Sequence, residues 1–457
     1  MNILKIISQD ILTQPSLLIG LISLIGLLAL KKPFNKVMTG TLKPILGFLM
    51  LGAGADFIVS NLNPLGQMIE HGFNITGVIP NNEAIVAIAQ DVLGKETMLI
   101  LLFGLLFNLV IARFTKFKYI FLTGHHSFFM ACLLSAVLST GGLSGALLVL
   151  VGGFMLGAWS AISPAIGQNF TLQVTEGDNI AMGHFGSLGY YISAWVGKFV
   201  GKPEDSTEDI EIPEKYGFLR DTTISTAITM MVFYLIAAIA AGSDFVVELS
   251  GGTNFIVFAI MSALKFAVGV TIVYNGVRMI LGELIPAFEG ISRKLIPNAV
   301  PAVDCAVFFT YAPTAVIIGF ISSFIGGIVG MLILGFAGGV LIIPGLVPHF
   351  FCGATAGIYG NATGGKKGAV VGSFVNGLGI TFLPALLLPV LGQLGFQNTT
   401  FGDFDFGVIG IVVGKAADLL GSTGIYIIAG LFLLALIIPS FMKTKSPTLN
   451  NDVEAYE

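Results

Sequence analysis

The sequence predicts an all-α polytopic membrane protein of about eleven transmembrane helices, built as two inverted five-helix repeats with re-entrant hairpins. Three observations lead there. Mean hydropathy is +0.91 and only 11% of residues are charged, against roughly 25% in soluble domains. Apolar runs long enough to cross a hydrocarbon core of about 30 Å recur along the whole chain. Two stretches 222 residues apart match each other: Leu42, Lys43, Gly47, Gly54, Leu62 and Pro64 align with Leu264, Lys265, Gly269, Gly276, Leu284 and Pro286. The same offset aligns Leu156 and Gly157 with Leu378 and Gly379. Accidental identity is the alternative in a chain with 59 glycines.

Candidate spans are 16–30, 42–62, 97–112, 119–139, 143–163, 222–242, 254–281, 303–322, 324–343, 368–393 and 422–441. The first is read as a retained span, because Asp10 interrupts a signal-type n-region and Lys31 and Lys32 stand where a cleavage site would be needed. Basic residues follow every odd-numbered span, as with Lys31, Lys32 and Lys36, then Arg113, Lys116 and Lys118, and Lys443 and Lys445 after the last. Even-numbered exits carry few or none. The positive-inside rule then puts the N-terminus outside and the C-terminus in the cytoplasm. Under this parity Lys43 lies on a span running outward and Lys265 on one running inward, so the copies have opposite orientation, as inverted-repeat transporters require.

The expected organisation is a first repeat over 1–200, a cytoplasmic linker over 201–221, a second repeat over 222–395, an extra span within 396–445 and a cytoplasmic tail over 446–457. The linker rests on the polar stretch Lys202 to Lys215. Segments 164–198 and 344–367 are rich in helix breakers yet flanked by apolar residues, which reads as two re-entrant hairpins. Backbone that is not helical at membrane depth is tolerated only where protein buries it or it lines a cavity, so these segments, with 77–90, are where a site is sought. Surface loops are the alternative.

Titratable residues inside apolar segments are functional candidates by default. Asp304, His125, His126, His184 and Glu83 qualify, and Gly183, Thr355 and Asn361 of the hairpin segments complete the expected binding set. Asp56 is ambiguous, Lys265 needs a partner, and Arg278 and Glu283 are close enough in sequence to pair. A neutral imidazole both donates and accepts hydrogen bonds, which suits a hydroxylated ligand; a structural histidine capping backbone is the alternative for each. No His/Cys spacing indicates a metal. Cys132, Cys305 and Cys352 read as buried small hydrophobes without a disulfide framework. No P-loop, nucleophile–base pair or basic run points to an enzyme, a cofactor or nucleic acid.

Several segments, in order, resemble the membrane component (enzyme IIC) of the ascorbate-type family of the bacterial phosphoenolpyruvate-dependent sugar phosphotransferase system. They include Leu122 to His125, Ile180 to His184, Asn275 to Met279, Ala287 to Pro297, Ala302 to Ala306, Tyr311 to Pro313 and Leu341 to Gly345. The resemblance implies a homodimeric inner-membrane carrier with a scaffold domain (spans 1, 2, 6 and 7) and a moving core bearing two hairpins. It implies elevator-type alternating access and phosphorylation of the sugar by a separate cytoplasmic IIB protein, itself served by a IIA protein. It carries over His125, His184 and Asp304 as sugar contacts. This chain departs from the ascorbate carriers at three glutamine positions, where it has Gly52, Phe129 and Phe185. Glu83 and His126 could supply replacement polar groups. The expected function is import of L-ascorbate or a related small sugar or sugar acid; a proton- or sodium-coupled secondary transporter of a small polar solute is the alternative.

Overall fold

The computed structural model describes residues 14–74, 77–78, 80, 82–210, 222–294, 296–392 and 400–441. Helices dominate: α1 (Pro15–Ala29), α2 (Phe34–Phe73), α3 (Asn82–Phe114), α4 (Gly124–Thr140), α5 (Gly145–Val174), α6 (Ser187–Val200), α7 (Thr222–Ala241), α8 (Ser243–Leu249), α9 (Phe255–Lys294), α10 (Pro313–Phe336), α11 (Ala354–Gly392), α12 (Phe404–Leu420) and α13 (Ser422–Phe441). Among the described residues, seven helices are long and apolar enough to cross a membrane alone. The pair α7 and α8, bent by 112°, makes an eighth if taken as one span. The protein is thus an all-α polytopic membrane protein.

The matched stretches form the two longest uninterrupted helices, α2 and α9, each 40 residues, or about 60 Å at 1.5 Å per residue. They pack face to face through the matched glycines. A Cβ on Gly47 would lie 2.8 Å from the Gly276 carbonyl oxygen, and one on Gly276 would lie 2.6 Å from that of Gly47. Gly54 and Gly269 meet the same way, at 2.9 and 3.1 Å. Since 47 aligns with 269 and 54 with 276, each contact is the image of the other. Absent side chains let the backbones touch, as small residues do in membrane helix pairs. Helices α1 and α7 flank the pair, and Lys43 of α2 reaches Glu283 of α9 at 3.0 Å. Arg278 is therefore not the partner of Glu283 that sequence proximity suggested.

The other helices surround a small parallel sheet, ordered β1 (Tyr119–Phe121), β3 (Val300–Val303), β2 (Ala181–Met182). Tyr119 pairs with Val300 and Phe121 with Ala302; Ala181 pairs with Ala302 and Met182 with Val303. Every strand is too short to be told from a helix by hydropathy, which explains several differences from expectation. Spans expected at 303–322 and 324–343 are instead the end of β3, a 3₁₀ turn Cys305–Thr310 and the single helix α10. Asp304 caps that turn and Pro313 opens the helix at its first position. The span expected at 119–139 starts with β1. In the segment 164–198, expected as a hairpin, α5 continues through Pro164 to Val174, and β2 and α6 follow.

The second expected hairpin is mostly helical. A turn at Leu346–Pro348 and a π turn at His349–Gly353 lead into α11. That helix breaks at Gly365, whose φ of 59° and ψ of −149° a side chain would resist. Linker residues 201–210 lie against this break. Lys366 bonds Asp205 at 2.9 Å, and Glu208 accepts the backbone N–H groups of Thr314 and Ala315 at the start of α10.

Candidate substrate-binding site

Three parallel strands bring three loops to one edge. The residues after β1 lead to His125, those after β2 to His184, and the residue after β3 is Asp304. The register fixed by β3, which pairs with both neighbours, sets these side chains together at the strands' C-terminal ends. A cavity of about 1730 Å³ opens there, with α2 and α7 on the other side. His125, His126, His184 and Asp304 all line it. It exceeds the usual 300–1,000 Å³ of ligand pockets, so the polar cluster forms one wall of an open vestibule.

The hydrogen bonds define the proton positions. His184 Nδ1 accepts the Gly186 N–H at 3.1 Å and stands 2.8 Å from the Tyr190 hydroxyl. A backbone N–H can only donate, so Nδ1 is unprotonated and the neutral ring carries its proton on Nε2. His126 Nδ1 likewise accepts from the Phe185 N–H at 3.4 Å. Its ring lies 3.7 Å from that of His184, centroid to centroid. His125 Nε2 stands 3.5 Å from Asp304 Oδ2, while Asp304 Oδ1 accepts the Ala306 N–H. The wall thus offers imidazole N–H donors beside a carboxylate acceptor, the complement of a hydroxyl group.

One atom each from His184, Asp304 and Cys305 lie within 4.8 Å of one another, a grouping that the sequence spacing did not suggest. Metal binding through His184 Nε2 would need the ring proton on Nδ1, where Gly186 already donates. The donor pattern therefore opposes a metal and favours a hydrogen-bonded ligand.

The remaining expected residues are placed differently. Gly183 does not line the cavity; its N–H donates to Val303 at 2.7 Å and its bare Cα faces the Ala302 carbonyl. Thr355 is buried and donates to the Phe351 carbonyl. Asn361 accepts the Thr207 N–H and donates to Ser206, tying the linker to α11. Neither lines the cavity, because the segment folds as helix and its polar side chains bond helix and linker. The side chain of Glu83 lies outside the described residues. Asp56 lines the cavity. Of the glutamine positions, Gly52 and Phe129 face it, whereas Phe185 is fully buried, stacked on Phe121 at 4.5 Å.

Asp403 was missed. It lines the cavity, with Oδ1 accepting from the Cys352 thiol at 2.8 Å and Oδ2 from the Asn82 amide at 2.7 Å. Asn82 also accepts the Gly402 N–H. Asp405 is buried beside it, bonded to the Ser187 hydroxyl and Leu188 N–H at the start of α6. The 222-residue offset gave no signal for Asp403, since 181–184 and 403–406 share no residue.

A model of EIIC-GAT, the PTS system sugar-specific permease component, matches residues 10–405. The chain belongs to this family. An ascorbate-specific PTS system EIIC component of Mycoplasma pneumoniae (strain ATCC 29342 / M129 / Subtype 1) is 29% identical to it over 427 residues, covering 81% of this chain. The chain spans 64% of the length of that relative. As a permease component with several membrane-crossing helices, this EIIC-GAT member is a multi-pass protein of the inner membrane.

Proposed function

We propose that this chain is the membrane-embedded subunit that imports L-ascorbate or a related small sugar or sugar acid, which a separate IIB protein phosphorylates on the cytoplasmic side. The carrying observation is the cavity wall of His125, His126, His184 and Asp304 in a chain of the sugar-permease family. His184 and His126 donate through Nε2 to sugar oxygens, Asp304 accepts a sugar hydroxyl, and His125 holds Asp304 in place. The chain supplies binding and alternating access; phosphorylation, on partners, traps the sugar inside.

In this reading α1, α2, α7 and α9 are the scaffold, and the helices around the sheet are the core that carries the site across. The mutual glycine contacts of α2 and α9 support an inverted repeat and a rigid scaffold. The lateral basic pattern supports an outside N-terminus and a cytoplasmic C-terminus, and the carrier works as a homodimer.

The test is uptake by membrane vesicles. Transport that requires phosphoenolpyruvate and the IIA and IIB proteins, delivers sugar phosphate and survives a protonophore is the expected result. Accumulation of free sugar that a protonophore alone abolishes would identify an ion-coupled transporter instead.

A further inference from the structure

The 222-residue offset that matches α2 to α9 also carries one strand contact onto another. It takes Val78 to Val300 and Ile120 to Ile342, with the residue type kept at both positions. Val300 and Ile120 belong to β3 and β1, which pair in parallel. Val78 and Ile342 form a parallel bridge of their own. There the Val78 N–H meets the Leu341 carbonyl and the Ile343 N–H meets the Val78 carbonyl, both at 2.9 Å. The registers differ by one residue, since Val300 pairs with Tyr119. The same offset takes Asn82 to Asp304, the residue after β3, and Ala181, the first residue of β2, to Asp403. Each half of the chain thus sets a polar side chain just past a strand contact, and both Asn82 and Asp304 line the cavity.

Asn82 and Asp403 form one unit. Asn82 opens α3 and Asp403 precedes α12. The Asn82 amide donates to Asp403 Oδ2 at 2.7 Å, and its Oδ1 accepts the Gly402 N–H at 2.9 Å. Asp403 is buried, and its Oδ1 accepts from the Cys352 thiol at 2.8 Å. That thiol also meets the Tyr190 hydroxyl, which stands 2.8 Å from His184 Nδ1, so the unit is joined to the histidine wall. A primary amide carries two donor hydrogens, and each carbonyl or carboxylate oxygen two lone pairs. One N–H of Asn82 and a lone pair on each of the three oxygens therefore remain to be satisfied, on residues that line the cavity.

The two walls differ in polarity. Helix α4 starts with no side-chain cap from Thr123 and brings His125 and His126 into the cavity. The positive end of a helix dipole and imidazole N–H groups stand on that side, with Asp304 as the acceptor among them. An electron-rich ligand oxygen fits there. The Asn82–Asp403 side offers one N–H and several acceptors, and among the described residues that line the cavity there is no lysine or arginine to offset its carboxylate. A hydroxyl, which donates and accepts, satisfies that side, whereas an anionic oxygen can only accept.

We propose that Asn82 and Asp403 form a second polar wall of the substrate site, which binds the hydroxyl-bearing arm of the sugar while its more electron-rich end faces the histidines. This rests on the permease reading above and orients its ligand.

L-ascorbate and its 5,6-dideoxy analogue share one enediol lactone ring and differ only in the hydroxyls of the arm. Calorimetry on the purified full-length protein would compare them in the wild type, in Asp403→Asn and in Asn82→Ser. Loss of hydrogen bonds to a charged acceptor should weaken the analogue at least about tenfold in the wild type. In each variant that ratio should shrink several-fold, with affinity for the analogue close to the wild-type value. A merely structural role would weaken both ligands together and keep the ratio. A wild-type ratio near unity, or a ratio kept intact in a variant that binds the analogue, overturns the second wall and leaves the permease reading standing. The variants alter opposite sides of one hydrogen bond, so a single folded variant decides, and the wild-type comparison can overturn the proposal without either. Binding of neither ligand by the wild type overturns the ascorbate reading and the proposal with it.

Discussion

Asp304 joins structure and chemistry in one side chain. One oxygen caps the turn that follows β3 and the other faces His125 and the cavity. Asparagine keeps an oxygen for the cap but removes the charge, so Asp304→Asn should lower sugar uptake at least tenfold while membrane insertion stays normal by fractionation. Uptake at the wild-type rate would remove Asp304 from the site. The glutamine departures separate in the same manner. Phe129→Gln places an amide on the cavity wall and should raise affinity for ascorbate measurably in calorimetry. Phe185→Gln buries an amide against Phe121 instead, and should lower stability by about 1–3 kcal/mol, read as a fall in melting temperature. His125, His184 and Asp304 stood out in the sequence because each is a titratable group in an apolar setting, and the structure brings the three to one cavity wall. Asp403 did not stand out, because two acids and a glycine look like a solvated connection when only the chain around them is seen. Thr355 and Asn361 lie away from that wall for the converse reason. Polar residues among glycines suggested an open loop, and the segment is helix whose polar groups bond locally.

At the scale of elements, the α2–α9 crossing is the feature most open to direct test. A methyl group on Gly276 would sit 2.6 Å from the Gly47 carbonyl oxygen, closer than packed atoms tolerate. Gly276→Ala should force the helices apart and cost about 1–3 kcal/mol, with reduced uptake from a distorted scaffold; an unchanged melting temperature would contradict the contact. By contrast the Lys43–Glu283 pair is half-exposed, at 53% and 27%, and such pairs contribute about 0–1 kcal/mol. Glu283→Gln should therefore leave stability almost unchanged. The repeated Gly positions showed in the sequence because close packing tolerates few residue types. The sheet did not, because β1, β2 and β3 are two to four residues each and sit inside runs that hydropathy reads as continuous helix. A hydropathy window averages over such strands, and with them it averages away the device that gathers the site.

Across the whole molecule, the cavity lies between two groups of helices with different packing. One is a long, glycine-locked pair with flanking helices; the other is built around the sheet and carries every histidine of the site. Movement of the second group against the first would carry His125, His184 and Asp304 from one side of the membrane to the other without dismantling them. The linker residues 201–210 are tied to the second group, since they bond α10 and α11. Cutting the ties of the linker with Glu208→Ala should destabilise the start of α10, slow transport and leave sugar affinity near its wild-type value, separating motion from binding in uptake and calorimetry.

The most direct measurement is the structure of the purified protein with its tightest-binding sugar, determined by electron cryo-microscopy in a lipid nanodisc. Sugar hydroxyls within hydrogen-bond distance of His184 Nε2 and an Asp304 oxygen are predicted, facing α2 across the cavity. A sugar bound away from these side chains, or on the lipid-facing or aqueous surface, would contradict the account.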